Sequence, residues 1–152
     1  MRQTRYPDQR AEMPMACLRQ VMLVENNPAD AALVTRVFDE AKARNRLIHF
    51  DDCQQALTHL QSRSAKKPTL ILVALKASDR GALQFLAALK EDETLRMIPV
   101  VALAESGEPQ DVSASFARGV AGYIMKSADP AKLREDITAI CTYWALSQSP
   151  PP

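Results

Sequence analysis

The feature that most constrains the fold is an apolar run over residues 70–76, which reads Leu-Ile-Leu-Val-Ala-Leu-Lys. Loop-forming segments, Lys-Lys-Pro over residues 66–68 and Ser-Asp-Arg-Gly over residues 78–81, flank it on both sides. Such a run predicts a strand that is buried on both faces, as in parallel sheets covered by helices. Functional sites in these sheets lie beyond the carboxyl ends of the strands. Ala74 therefore occupies a position where a functional side chain is expected.

Short apolar segments alternate with amphipathic segments along the chain, which predicts an α/β fold with five parallel strands. The predicted strands cover residues 20–25, 47–50, 70–76, 99–103 and 122–125. Asn27-Pro28 and Asp129-Pro130 each combine a helix cap with a proline, and they predict the starts of the first and last helices. The three helices between them are predicted to start after Asp51 or Asp52, near Gly81 and at Pro109.

Size, charge and cysteine content limit the classes of function. A chain of 152 residues with 47% hydrophobic content is large enough to build one core. With 19 basic and 18 acidic residues there is no net field, so neither nucleic acid nor a membrane is expected as a partner. Cys17, Cys53 and Cys141 are widely spaced and indicate neither a zinc site nor a disulfide framework. These features predict a cytoplasmic protein.

The two ends of the chain lack the periodicity that would let them join a packed core. Residues 1–18 are predicted to be a flexible N-terminal extension, because their start is polar, contains two prolines and has no apolar face. Residues 147–152 read Ser-Gln-Ser-Pro-Pro-Pro and are predicted to be a disordered tail. Residues 19–146 are therefore expected to form the folded domain.

The order of the elements and the residues at the strand ends resemble the receiver domain of bacterial two-component response regulators. The resemblance covers residues 19–144 and rests on four segments in the family's order and spacing. They are Val-Glu-Asn-Asn-Pro-Ala-Asp (24–30), the strand at 70–76, Ile-Pro-Val-Val (98–101) and Gly-Val-Ala-Gly-Tyr-Ile-Met-Lys (119–126). It implies a flavodoxin-like three-layer sandwich with five helices and strand order 2-1-3-4-5. The chain is most similar to the stand-alone receivers that accompany bacterial phytochromes.

The resemblance also implies where a phosphorylation site would lie. In typical receivers an aspartate after strand three accepts a phosphoryl group from a kinase histidine, and an acid pair after strand one helps it to hold magnesium. A hydroxyl residue after strand four and a lysine after strand five bind the phosphoryl oxygens. In this chain the acid pair corresponds to Glu25-Asn26, the acceptor to Ala74, the hydroxyl residue to Ala104 and the lysine to Lys126. The phosphorylation site is thus degenerate, with the lysine unchanged.

The chemistry of these replacements predicts that phosphoryl transfer is lost. A methyl group neither attacks phosphorus nor binds a hard cation, so Ala74 removes the nucleophile and a metal ligand together. Asn26 supplies a neutral amide where a carboxylate would bind the ion. The negative charge of Glu25 is balanced by the positive charge of Lys126, and Lys76 would add a further positive charge if its side chain turned inward. The pocket is therefore predicted to be neutral or positive and to bind no metal. Lys126 is expected to pair with Glu25.

These observations predict a pseudo-receiver that acts through phosphorylation-independent protein contacts, with no catalytic residue, cofactor or metal. Its expected partner is a histidine kinase, a phytochrome-type sensor or another signalling protein. Two alternatives stay open. The first is a receiver phosphorylated at an unconventional carboxylate, Asp79 or Asp51, and the second is a small-ligand or redox-binding domain of the same architecture.

Two further predictions concern the switch and the interaction surface. Tyr123 corresponds to the family's switch aromatic, and the small Ala104 leaves room for it to lie inward without a phosphoryl group. The inward face of the last helix is predicted to carry Leu133, Ile137, Ile140 and Trp144. Apolar residues near the side of this helix are candidate anchors for a homodimer or a docked partner. These candidate interface residues are Ala139, Tyr143, Trp144 and Leu146.

Overall fold

The structure, a computed structural model, describes residues 19–41, 45–64, 66–76, 79–126 and 129–146. Of residues 19, 41, 45, 145 and 146 it describes the backbone alone. The predicted N-terminal extension over residues 1–18 and the predicted tail over residues 147–152 lie outside the described residues. None of the described helices has the length and apolar content of a membrane span.

Strands and helices alternate along the described chain, as the sequence predicts. The strands are β1 (Arg19–Val24), β2 (Asn45–Phe50), β3 (Leu70–Leu75), β4 (Val100–Ala104) and β5 (Gly122–Met125). The helices are α1 (Pro28–Ala41), α2 (Cys53–Gln61), α3 (Arg80–Glu91), α4 (Pro109–Ala117) and α5 (Pro130–Leu146). A 3-10 helix over Leu95–Met97 was not predicted. All five strands pair in parallel in the order β2-β1-β3-β4-β5, which confirms the flavodoxin-like fold.

Side-chain caps fix where the helices of the site begin. Asn27 Oδ1 accepts the amides of residues 29 and 30 at 2.9 and 3.1 Å, as its cap signal predicts. For α2 the cap is Asp52 rather than Asp51, since Asp52 Oδ1 accepts the amide of residue 54 at 2.8 Å. Asp79 caps α3 through the amide of residue 82 at 3.1 Å. Each cap satisfies otherwise unpaired amides, and together they place polar side chains at the carboxyl edge of the sheet.

The sheet has an apolar core on each face. Residues 70–73 of β3 are fully buried, which confirms that this strand is covered on both sides. One core packs beneath α2 and α3, and the other packs beneath α1 and α5. On α5 the predicted residues Leu133 and Ile137 are buried, while Ile140 and Trp144 pack partly buried against the same core. Cys141 is also buried there, which the apolar spacing did not predict.

Candidate functional site

The carboxyl ends of the central strands surround a cavity of about 230 Å³. Glu25 and Asn26 follow β1, Ala74 lies at the end of β3, Lys126 follows β5, and all four line this cavity. Ala104 does not line it but is buried at the end of β4, where its carbonyl accepts the Lys126 amide at 2.6 Å. The fold therefore brings four of the five positions implied by the resemblance into one cavity and places the fifth beside it.

The ammonium of Lys126 is the centre of a buried group of three charges, here called the ion triad. Lys126 Nζ lies 2.7 Å from Glu25 Oε1 and 3.1 Å from Asp30 Oδ2. The side chains of Lys126, Glu25 and Asp30 are 8%, 1% and 28% exposed. The predicted pair between Glu25 and Lys126 is confirmed. Asp30 was not predicted as a partner, although its place in the first turn of α1, beside the Asn27 cap, directs it to this edge of the sheet.

Two opposing effects act on the charge of Lys126. Burial lowers the pKa of the ammonium, but the interactions with Glu25 and Asp30 outweigh it, so the pKa is raised above its ordinary value. Glu25 is itself held by the amide of Asn27, which donates to Oε2 at 3.1 Å. The backbone carbonyl of Glu25 also lies 2.8 Å from His49 Nε2 on the edge strand β2. Lys126 therefore keeps its charge at neutral pH, and these contacts fix the ion triad in position.

The cavity contains more carboxylates than the sequence comparison counted. Four carboxylates and two ammonium groups line it, from Glu25, Asp51, Asp52, Asp79, Lys76 and Lys126. Four negative charges against two positive ones leave a formal charge of −2. The prediction of a neutral or positive pocket is therefore wrong. It failed because helices α2 and α3 begin at this edge, so the aspartates that precede them in sequence are brought to the rim.

These carboxylates nevertheless do not fit the divalent cation that the resemblance implies. Hard cations need several oxygen ligands around one point, whereas Asp52 and Asp79 each use an oxygen to cap a helix. Ala74 offers a methyl group, and Glu25 is already engaged by the Lys126 ammonium. Among the described residues, no group of three or more His, Cys, Asp or Glu side chains is placed to hold a metal ion.

Lys76 lies at the rim rather than over Ala74. Its ammonium is 3.9 Å from Glu105 Oε2, and both side chains are more than half exposed. Solvent weakens an ion pair of this kind. Lys76 therefore does not supply the buried positive charge considered from the sequence, and that role belongs to Lys126.

Two cysteines lie within the described residues, and both have free thiols. The Cys53 thiol lines the cavity, where burial, aided by the negative charges of Asp79 and Asp52, raises its pKa to about 11. Burial in the core raises the pKa of Cys141 to about 12. Because the thiolate is the reactive form, neither cysteine is activated for redox or nucleophilic chemistry at neutral pH.

Tyr123 links β5 to the loop between β4 and α4. Its ring packs against the core beneath α2 and α3, and its hydroxyl donates to the Ser106 carbonyl at 2.5 Å. Ser106 Oγ donates to Asp111 Oδ2 at 2.6 Å and accepts the Glu108 amide at 3.1 Å. Burial, with a smaller effect of Asp111, raises the pKa of Tyr123, so the phenol keeps the proton it donates. The ring and the loop therefore hold each other in place.

Two neighbours of Tyr123 on β5 add further links to this loop. A Cβ atom on Gly107 would come within 2.6 Å of Met125 Sδ, so the glycine allows the thioether to lie across the loop. The Lys126 amide donates to the carbonyl of Ala104, at the start of the loop. The loop over residues 105–108 is thus tied to β5 at Tyr123 and Met125, and the Lys126 amide holds the end of β4 from which the loop starts.

The candidate interface residues of α5 differ in exposure. Tyr143 is 61% exposed, and its ring stands edge-on to that of Trp144 with the centroids 4.8 Å apart. Trp144 itself packs partly buried against the core. Ala139 is exposed and lines an open groove of about 620 Å³ between β5 and α5. The side chain of Leu146 lies outside the described residues.

A parallel sheet in this order, with an acid after β1 and a lysine after β5 at one edge, defines the receiver class. The chain belongs to this family, since the model of the response regulator receiver domain matches residues 21–138. It is a receiver domain of two-component signal transduction, and domains of this family interact with other signalling proteins.

The similar proteins include receivers linked to phytochromes. The chain is 31% identical over 128 residues to response regulator Rcp1 of Synechocystis sp., with 82% of this chain and 87% of the relative covered. The crystal structure of the phosphorylated cyanobacterial phytochrome response regulator RcpA matches with a TM-score of 0.79 and 29% identity, covering 88% of this chain and 99% of that one. The Mn²⁺-bound form of Rcp1 matches with a TM-score of 0.77 and 30% identity, at the same coverage.

Proposed function

We propose that this receiver is a pseudo-receiver, which acts by contact with a signalling protein and takes up no phosphoryl group. The observation that carries the proposal is Ala74 at the carboxyl end of β3, the position of the family's phosphoryl acceptor, inside the cavity that contains the ion triad. RcpA was solved phosphorylated and Rcp1 with Mn²⁺. This chain lacks an acceptor at that position, and its cavity does not fit the metal. No residue is assigned a catalytic role, and no cofactor is required.

The remaining parts of the cavity support the same conclusion. Phosphoryl transfer depends on a positioned nucleophile and on cations that neutralise the transferring group. Lys126 corresponds to the lysine that binds a phosphoryl oxygen in typical receivers. Here its ammonium is already paired with the carboxylates of Glu25 and Asp30. Ala104 has no hydroxyl group that could bind a phosphoryl oxygen. Restoring one group would therefore leave the others missing.

We expect the proposed pseudo-receiver to act through an interaction surface that is present without phosphorylation. The loop over residues 105–108 is tied to β5 through Tyr123, which supports a permanent arrangement of the neighbouring surface. Exposed Tyr143, supported by Trp144, and the groove lined by Ala139 lie on the side of α5 where a second copy or a partner would dock. A phytochrome-type sensor or a histidine kinase is the expected partner, and a cytoplasmic location remains a prediction.

One observation favours a second candidate, a receiver phosphorylated at another carboxylate. Asp51 and Asp79 line the same cavity as Ala74. Asp79 has one oxygen engaged in capping α3, whereas Asp51 is exposed at the rim. The small-ligand alternative has less support, because the cavity of about 230 Å³ is below the range of about 300–1,000 Å³ typical of ligand sites.

Intact mass measurement after incubation with acetyl phosphate and Mg²⁺ tests the proposal. We expect no gain of about 80 Da, the mass of one phosphoryl group. The positive control is the triple variant Ala74→Asp, Asn26→Asp, Ala104→Thr, which regains the acceptor, the second acid and the hydroxyl. A stoichiometric gain by the wild-type chain would contradict the pseudo-receiver. Loss of that gain in Asp51→Asn or Asp79→Asn would then identify the acceptor.

A further inference from the structure

The ion triad contains one member, Asp30, to which the family resemblance assigns no role. We infer that Asp30 is a positioning residue that makes Lys126 a built-in cation: with Glu25 it holds the ammonium on the side of the cavity where typical receivers bind their metal ion. The inference rests on the proposed loss of phosphoryl transfer and deepens it. It explains what occupies the charged side of a cavity that has no acceptor.

The geometry places the ammonium between two separate elements. Glu25 directly follows β1, whereas Asp30 lies in the first turn of α1, and Lys126 reaches both from the end of β5. Distances of 2.7 and 3.1 Å to the two carboxylates show that neither contact is a remote attraction. The triad therefore joins the connection between β1 and α1 to the end of β5.

Electrostatics make the ammonium and a metal ion mutually exclusive. Two carboxylates and one ammonium leave a formal charge of −1, but the ammonium lies within about 3 Å of both carboxylates. A divalent cation on the same oxygens would face Lys126 at a similar distance, in a site where its side chain is 8% exposed and screening by water is weak. The tethered ammonium also competes at a high effective concentration, so it displaces a free ion.

Asp30 differs from Glu25 in what it contributes. Glu25 alone would hold Lys126 by one contact and leave the long side chain free to turn toward Ala74. Asp30 adds a second contact from the α1 side and fixes its direction. This assignment predicts that loss of the Asp30 charge releases Lys126 without removing its buried partner.

Acetylation of Lys126 by an amine-reactive reagent, followed by peptide mass mapping, measures that release. Asp30→Asn should raise the acetylation rate of Lys126 by about fivefold or more, the effect of losing roughly 1 kcal/mol of interaction. The matched control is Asp39→Asn, which removes an exposed carboxylate from the same helix. Equal rates in the wild-type chain and both variants would overturn the role of Asp30.

Titration with Mn²⁺, followed by electron paramagnetic resonance, tests the built-in cation directly. In the background Ala74→Asp with Asn26→Asp, which supplies the missing oxygen ligands, adding Lys126→Met should tighten Mn²⁺ binding, whereas adding the control Lys132→Met should leave it unchanged. Equal Mn²⁺ affinity with and without Lys126→Met in this background would overturn the inference. If circular dichroism shows that Lys126→Met is unfolded, the acetylation rates decide. Neither assay uses a phosphodonor, so phosphorylation at Asp51 or Asp79 would refute the pseudo-receiver separately.

Discussion

The two sides of the cavity differ in what has been kept. On the β1 and β5 side, Glu25, Asp30 and Lys126 form the ion triad. On the β3 side, Ala74 presents a methyl group to the cavity, and Ala104 is buried beside it at the end of β4. A buried lysine requires a carboxylate whether or not the protein uses it, because an unpaired buried charge is costly. An acceptor aspartate that is replaced by a methyl group leaves no such charge behind, so this side can lose its chemistry without losing the fold.

The largest expected effect comes from removing the Lys126 ammonium, the centre of the ion triad. Lys126→Met should lower the free energy of unfolding by about 3–5 kcal/mol, because it leaves the Glu25 carboxylate buried without its partner. Urea unfolding measures the loss, with Lys132→Met as the control. Lys132 pairs with Asp136 on the exposed side of α5, where solvent weakens the ion pair, so its loss should have little effect on stability. Similar losses of unfolding free energy in Lys126→Met and Lys132→Met would show that the ion triad stabilises the fold no more than an exposed ion pair does.

The next effect comes from restoring the phosphoryl acceptor at Ala74. Ala74→Asp alone should be phosphorylated by acetyl phosphate about 100-fold more slowly than the triple variant with Asn26→Asp and Ala104→Thr, the typical cost of a missing electrostatic contact. Asn26 and Ala104 would still leave the metal and the phosphoryl oxygens poorly held. Rates come from intact mass against time. Full phosphorylation of the single variant would show that the rest of the site is intact.

Alkaline pH should destabilise the core around Cys141 while the ammonium of Lys126 stays charged. The folded-state pKa of Cys141 is raised from 9.0 to about 12, so its contribution to stability is intact below pH 9 and is lost as the pH rises. Between pH 9 and 10 this thiol should cost about 1 kcal/mol. The pKa of Lys126 is raised above 10.5, so its ammonium stays charged in this window. Urea unfolding of Cys141→Ala should show a flatter pH dependence than wild type; an equally steep one would assign the loss elsewhere.

Tyr123→Phe should release the β4–α4 loop and leave the cavity unchanged. Loss of the hydroxyl contact to Ser106 should cost about 0.5–1 kcal/mol, as for one hydrogen bond of a half-buried group. In NMR relaxation measurements the wild-type ring should show one dominant population, and the amides of residues 105–108 should show exchange in the variant. Two exchanging populations of Tyr123 in the wild-type chain would contradict a fixed loop.

The smallest effect on stability is expected at the α5 surface. Tyr143→Glu should change the free energy of unfolding by about 0.5 kcal/mol or less, as for surface changes in general, and together with Leu146→Glu it should give a monomer or abolish partner capture. Thr138→Glu, an exposed change on the same helix, is the control. Sedimentation velocity reports the assembly state. An unchanged profile together with unchanged capture would move the interface away from α5.

Local signals in the sequence predicted the fold, but they did not predict which residues from separate loops line the cavity. Asn27 caps α1 through amides two and three residues away, so the cap can be read from adjacent letters. Asp51, Asp79 and Lys126 reach one cavity only because three separate loops meet there. Linear order does not indicate that meeting, and the predicted charge of the pocket had the wrong sign. Cys141 was missed in the core because cysteine was assessed for its chemistry and not for its small apolar volume.

The tied loop over residues 105–108 has a consequence for how a signal could be carried. A protein that spends a fraction of its time in the binding form has an apparent affinity reduced by that fraction, and a modification raises affinity by enlarging it. For the proposed pseudo-receiver we expect that fraction to be near its maximum already, because Tyr123 is bonded to Ser106 in the unmodified chain. Binding then varies with the number of molecules in the cell, so synthesis and degradation would carry the information that phosphorylation carries elsewhere.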